Sequence, residues 1–413
     1  MSPIFPFDIF TLIIDIVGES KDTDLLKELA LVSHSFLQIC SKHLFSTVEL
    51  HGAVPRHYTA TSNKRFVKLL KSRPDVVNHI RKFKYNIGLG GNGSQSSQLP
   101  PTHTSSDDDD DYHLLSPILL NFLRTIPHLN CLTIAAARDW NTLDASLTSA
   151  LLHLIHLPTI NHIEISYIRN FPLSSLISSI NLHRLDISDL FDTGREDGSF
   201  EIVQSEVMLR EFRTFDSSGL TTKLLHIKTQ DGQPAFNFKD LKRLSMSFTQ
   251  SEDDGNIRYI LQNANLLEKL HLSVHFLHSI VGLLSPSTRR TLKVLDLTVY
   301  LYRFSVYPLS GVCEELEAMV GNNMLEALSL EVKVDSHETE DFIGSGIQKV
   351  EEILLKPGWS ALRQVSLKVS CLARANRAKM EAIQSLPDKY LNYLPKLESV
   401  AFSYSANVCE SSK

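Results

Sequence analysis

The chain is poor in the features that mark export, nucleic-acid binding or catalysis. Cysteine is scarce: Cys40, Cys131, Cys313, Cys371 and Cys409 lie far apart, and no C-x-x-C pair occurs. Neither a zinc site nor dithiol chemistry is therefore expected. Basic charge is not in excess either. The formal net charge is -6, which provides no electrostatic footprint for nucleic acid. No apolar run approaches the ~18 residues that span a bilayer, so no membrane partner is expected. The apolar N-terminus has no basic segment, and Asp8 and Asp15 interrupt it. A secretory signal is thus not expected, and scattered thiols fit a reducing compartment, cytoplasmic or nuclear. Also missing are G-x-S-x-G, Walker A and H-E-x-x-H.

Other motifs fail on context. Gly88-Leu89-Gly90-Gly91-Asn92-Gly93 fits G-x-G-x-x-G, but it leads into a serine-rich stretch with Pro100 and Pro101. No helix N-terminus is expected there to meet a pyrophosphate. The Asp107 to Asp111 run closes the same stretch, so residues of about 88–113 read as a solvated acidic insert. Asn92-Gly93-Ser94 spells a glycosylation acceptor that has no meaning without export. Among the 17 histidines, His271 and His275 are four apart without a carboxylate to complete a metal site. His153 and His156 lie among leucines. No cofactor, metal or catalytic centre is expected.

What is present is a globular balance, 43% hydrophobic and 21% charged over 413 residues, enough for two or three domains. In the first fifty residues, Pro6 stands where a helix can begin. Ile9, Leu12, Ile13 and Ile16 then form one stripe at i, i+3, i+4 and i+7. Gly18 ends that run. A second stripe passes through Leu25, Leu29, Val32 and Phe36, widened by Leu26 and Leu37, and a third short helix covers Cys40 to Phe45. Three short helices cannot bury this much apolar surface alone, so a partner surface is implied.

These residues resemble an F-box: Phe5-Pro6-Phe7-Asp8-Ile9, the Ile13/Ile16 helix, Leu31-Val32-Ser33-His34-Ser35-Phe36, then Leu44-Phe45. The family pattern is Leu-Pro-x-Glu/Asp-Ile, an apolar helix, Val-Ser/Cys-Arg/Lys-x-Trp and a closing Leu-Trp or Leu-Phe. Phe5, His34 and Phe36 depart from it. The resemblance implies docking on the Skp adaptor of an SCF-type cullin–RING ubiquitin ligase. It assigns the interface to Pro6, Ile9, Ile13, Ile16, Leu29, Val32, Ser33, Phe36 and Leu37.

Beyond Arg56 one phrase recurs: an aliphatic residue, two mostly polar ones, then apolar, polar, apolar. It begins at Leu129, Ile160, Leu182, Leu241, Leu267, Leu292, Leu325, Leu362 and Leu397, with weaker copies at Ile80 and Leu209. Its alternating end is strand periodicity. Helical stretches are expected between copies over 117–125, 143–155, 257–264, 314–320, 346–355 and 375–385. Strand and helix in alternation predict an α/β class with a parallel sheet. The phrase resembles leucine-rich repeats, although the copies at Leu325 and Leu362 stand 37 residues apart and no asparagine ladder follows the strand. The expected architecture is an F-box over 1–50, a helical linker over 51–78, and an irregular leucine-rich-repeat-like solenoid over 79–413.

The polar positions of each strand share one face. They include Lys82, Lys84, His162, Glu164, Arg184, Asp186, Glu211, Arg213, Arg243, Lys269, His271, Asp296, Glu331 and Lys368. Arg184, Arg213, Arg243, Lys269 and His271 are the candidate substrate-binding residues, suited to an acidic or phosphorylated segment. The expected function is a non-catalytic substrate receptor that joins a protein target to the ligase. Two alternatives are an interaction scaffold with an inactive F-box and a receptor gated by a small anionic ligand.

Overall fold

A computed structural model describes residues 7–52, 58–87, 117–190, 202–203, 206–215, 218–248, 253–274, 281–301, 309–335, 340–372 and 377–409. The Gly88–Gly93 motif, the Asp107–Asp111 run, His275 and Pro6 lie outside them. The chain divides into two compact units, Met1–Leu182 with Leu190–Glu196, and His183–Asp189 with Asp197–Lys413.

The first unit opens with three helices, α1 (Phe7–Glu19), α2 (Thr23–Ala30) and α3 (His34–Leu44). The expected second helix, running through Leu25 to Leu37, is broken. Ser33 is extended (φ -160°, ψ 166°) and its hydroxyl accepts the Phe36 N–H, which makes it the N-cap of α3. An N-capping serine competes with helix continuation because its side chain satisfies an otherwise orphaned donor. The expected third helix is therefore the C-terminal half of α3. Asp22 caps α2 in the same way, accepting the Leu25 N–H.

Four parallel strands follow in this unit: β1 (Thr47–His51), β2 (Lys82–Ile87), β3 (Cys131–Ala136) and β4 (His162–Ser166). Helices α4 (Tyr58–Ser72), α5 (Pro117–Thr125) and α6 (Ala145–Ile155) lie between them in sequence. The stretch expected as a helical linker thus holds α4 and a 3-10 turn, Pro74–His79.

The second unit carries eight parallel strands in one run. They are β5 (Arg184–Ser188), β6 (Glu211–Phe215), β7 (Arg243–Phe248), β8 (Lys269–Val274), β9 (Val294–Leu301), β10 (Ala327–Asp335), β11 (Gln364–Leu372) and β12 (Ala401–Cys409). Between them come α7 (Ser218–His226), α8 (Asp253–Asn263), α9 (Pro286–Thr291), α10 (Ser310–Met319), α11 (Glu340–Leu354), α12 (Arg377–Gln384) and α13 (Leu386–Tyr390). Two pairs of two-residue strands, Ile202–Val203 with Lys228–Thr229 and Val207–Met208 with Phe236–Asn237, stand apart from that run.

The recurring phrases from Leu209 to Leu325 do the same physical work, whereas Leu397 of the last copy is only half-buried. The first aliphatic residue of each turns into the core: Leu209, Leu241, Leu267, Leu292 and Leu325 are all fully buried. The next carbonyl accepts two N–H groups from the entry to the following strand. Lys242 O accepts from Glu268 and Lys269, Glu268 O from Lys293 and Val294, and Lys293 O from Glu326 and Ala327. This shared carbonyl pins the register, so a one-residue slip that would turn each strand inside out is blocked. The alternating apolar residues then face inward together: Leu270 and Leu272, Leu295 and Leu297, Leu328 and Leu330, Val365 and Leu367. Two buried glutamates tie helices to distant loops. Glu315 accepts the Gly282 N–H and the Arg289 guanidinium, and Glu351 accepts the N–H groups of Asn392, Tyr393 and Leu394.

Candidate functional site

Helix α1 is apolar on two faces. Its inner face places Ile14, 1% exposed, against Leu26, Ile39 and Cys40, with Val17, Leu29, Ala30, Phe36 and Leu44 packed around them. Phe10 meets the Phe36 ring at 5.3 Å between centroids. Asp15 braces α1 on α3 by accepting from Lys42 at 2.6 Å and His43 at 2.7 Å. Those two hydrogen bonds hold its carboxyl below the usual carboxylate range. Gly18 permits the approach, because a side chain there would run into the His43 imidazole.

The outer face of α1 carries the predicted stripe. Ile9, Leu12, Ile13 and Ile16 are 39%, 61%, 47% and 59% exposed. Beyond α1, Leu25 is exposed, and at the turn between α2 and α3 Leu31 and Val32 are 87% and 66% exposed. Seven of the seventeen large hydrophobic side chains exposed among the described residues therefore lie between Ile9 and Val32. A helix apolar on two faces has one more face than its own core buries, and exposed apolar patches of this kind mark interaction sites.

The expected adaptor-binding residues divide accordingly. Ile9, Ile13, Ile16 and Val32 point outward, whereas Leu29, Phe36 and Leu37 are half-buried and Ser33 caps α3. Leu12, Leu25 and Leu31 were not among the expected residues. Leu12 belongs to the α1 stripe itself, so helical spacing was signal enough for it. Leu31 lies in the turn between the end of α2 and the Ser33 cap of α3.

The second surface is the polar face of the eight-stranded run. Arg184, Glu211, Arg243 and Lys269 form one row across adjacent strands, and Asp186, Arg213, Ser245, His271 and Asp296 form the next. All five candidate substrate-binding residues thus share one face. They are not, however, an open basic centre. Arg184 pairs with Asp186 at 2.7 Å and faces Glu211 at 3.6 Å, Arg243 pairs with Glu211 at 2.9 Å, and Arg213 lies 3.9 Å from Asp186. His271 is bonded to Asp296 at 2.9 Å, which holds that carboxyl below its usual range. Lys269 alone of the five carries no ion pair among the described residues. Further along, Glu331 joins Lys368 at 2.8 Å and accepts the Ser370 hydroxyl. The acidic side chains of the face are spent on its own cations.

In the first unit, Cys131 and His162 lie side by side, Sγ to Nδ1 3.2 Å, and the Thr133 hydroxyl donates to Glu164. Strand register brought these together across 31 residues. Cys313 is a different kind of thiol, its pKa pushed up to about 11 by burial. A recess beside α6, lined by Trp140, Leu143 and Leu152, contains no titratable side chain. Among the described residues no cluster of three metal-ligating side chains occurs, and no helix is long and apolar enough to cross a membrane. No family model matches this sequence, and no curated protein is significantly similar to it.

Proposed function

We propose that this chain is the substrate-recognition subunit of an SCF-type cullin–RING ubiquitin ligase, acting in the cytoplasm or nucleus. In this reading the N-terminal helices are an F-box that docks the Skp adaptor. The strands and helices that follow are an irregular leucine-rich-repeat-like solenoid that holds a protein target. The chain itself performs no chemistry. It raises the local concentration of the target's lysines beside a charged ubiquitin-conjugating enzyme.

One observation carries the reading: α1 keeps Ile9, Leu12, Ile13 and Ile16 in water although its other face already has a core. Burying a Leu or Ile side chain from full exposure is worth about 1.5–3 kcal/mol. At roughly half exposure, those four still hold about 3–6 kcal/mol that only a partner recovers. The polar sheet face supports a target recognised by shape and matched polarity over one recognised through phosphate, because Arg184, Arg213 and Arg243 are engaged by Asp186 and Glu211.

The test is co-purification with the Skp adaptor, comparing the natural chain with Ile13→Asp and Leu31→Asp. Capture of the natural chain and loss in both variants, with the helical circular dichroism unchanged, is the expected result. A chain that never captures the adaptor would leave only the interaction scaffold.

A further inference from the structure

Among the described residues, the β12 edge of the eight-stranded run lacks the usual protection. Strand β12, Ala401–Cys409, reads AFSYSANVC, with no charge, proline or glycine in nine residues. Such edges are normally blunted by charge, proline, a bulge or short length, because their free N–H and C=O groups are a template for another strand. The first unit follows that rule: β1 has five residues, includes Glu49 and His51, and its His51 carbonyl is capped by Asn63 Nδ2 at 2.7 Å. Charge also runs along the polar face of the second unit and stops at β12. Glu331 on β10 is followed by Lys368 on β11 and then Ser405 on β12, and Lys333 is followed by Ser370 and Asn407.

The Ala401 N–H bonds back to the Arg363 carbonyl, so odd-numbered residues of β12 point their backbone groups at β11. Alternation then sends the N–H and C=O of Phe402, Tyr404, Ala406 and Val408 away from the sheet.

We propose that β12 is a homodimer edge, pairing antiparallel with β12 of a second copy about a twofold axis at Ser405. About this axis the strand is its own complement. Tyr404 falls opposite Ala406, large against small on one face, and the backbones of Phe402 and Val408 pair. Ser403 falls opposite Asn407, and Ser405 opposite Ser405, polar against polar on the other. Every outward N–H and C=O between Phe402 and Val408 finds a partner, because antiparallel pairing bonds residues two by two. The absence of charge means that no like charges meet when identical strands face each other. A twofold contact closes on itself, so the edge is consumed and does not propagate into a fibre. A two-strand seam lies at the low end of specific interfaces, below about 1,200 Å², so the dimer is expected to form at micromolar concentration.

The test is sedimentation equilibrium of the full chain from about 1 to 100 μM, a range that brackets a micromolar constant. The expected result is a reversible shift from 46.5 kDa to twice that mass. Ser405→Lys, at an exposed position, puts two ammonium groups across the axis and is expected to raise the dissociation constant at least about tenfold. Ala406→Pro removes an outward N–H that β11 does not use, and is expected to do the same. In a Cys409→Ser background, Ser405→Cys is expected to cross-link with oxidised glutathione, since opposed residues in a non-hydrogen-bonded pair lie close. A monomer throughout the range overturns the proposal. So does a dimer that neither Ser405→Lys nor Ala406→Pro weakens and Ser405→Cys fails to trap.

Discussion

Neighbouring isoleucines on α1 should behave in opposite ways. Ile14 is 1% exposed and sits among Leu26, Ile39 and Cys40, while Ile13, one residue earlier, is 47% exposed on the outer face. Ile14→Ala removes a buried side chain and leaves a cavity, a change that costs about 2–5 kcal/mol. Ile13→Ala removes atoms that are already half in water and leaves no cavity. The small loss is partly offset by alanine's better helix propensity, so the net cost is expected below about 1 kcal/mol. Native-state hydrogen exchange of peptides from α1 to α3 reads the difference locally. A loss of about 2 kcal/mol speeds exchange through sub-global opening about 30-fold. Ile14→Ala is therefore expected to accelerate exchange by 30-fold or more, and Ile13→Ala by less than about fivefold. Equal acceleration in the two variants, or the reverse order, would refute the two-faced reading of α1 and with it the case for an outer docking surface.

Three further outcomes follow from particular contacts. Glu351→Ala takes the acceptor from the N–H groups of Asn392, Tyr393 and Leu394, of which the Leu394 bond is buried, and is expected to cost about 2 kcal/mol in urea unfolding. Asp186→Asn with Glu211→Gln frees the arginines of the sheet face, so binding of an acidic or phosphorylated peptide, weak in the natural chain, is expected to rise about tenfold and to fall again with salt. The Asp15 carboxyl, bonded to Lys42 and His43, has its folded pKa depressed. Its contribution is therefore fully present above the ordinary carboxylate pKa of about 3.9 and is lost as pH falls through the depressed value. Asp15→Asn should accordingly make no difference to acid lability of the α1–α3 helices at the lowest pH, and weaken them at pH 7; circular dichroism against pH reads both arms.

Much of the fold was legible because one phrase encodes one structural step. The alternation in Leu267-Glu268-Lys269-Leu270-His271-Leu272 names β8, its inward residues and its outward ones, and the structure agrees at each position. Two features were hidden for physical reasons. Strand β1 is five residues long and begins just after the close of the helical head, so its alternation was too brief to stand out. The break at Ser33 lost to helical periodicity, because Leu25, Leu29, Val32 and Phe36 keep the spacing of one face while the capping hydroxyl acts locally. At the sheet face, alternation placed Arg184, Arg213 and Arg243 together, but their neutralisation depends on register between strands. Glu211 meets Arg184 from 27 residues away and Arg243 from 32, and no local spacing carries that pairing.

The most direct test is a calorimetric titration of the purified chain with the Skp adaptor over a range of temperatures. The expected result is saturable one-to-one binding at micromolar concentration or tighter, with the negative heat-capacity change that accompanies burial of apolar side chains. It should weaken about tenfold or more in Ile13→Ala combined with Ile16→Ala, which together remove up to roughly 1.5–3 kcal/mol of recoverable burial. No heat and no complex with tens of micromolar adaptor, from a chain whose α1–α3 helices are folded, would contradict the receptor function.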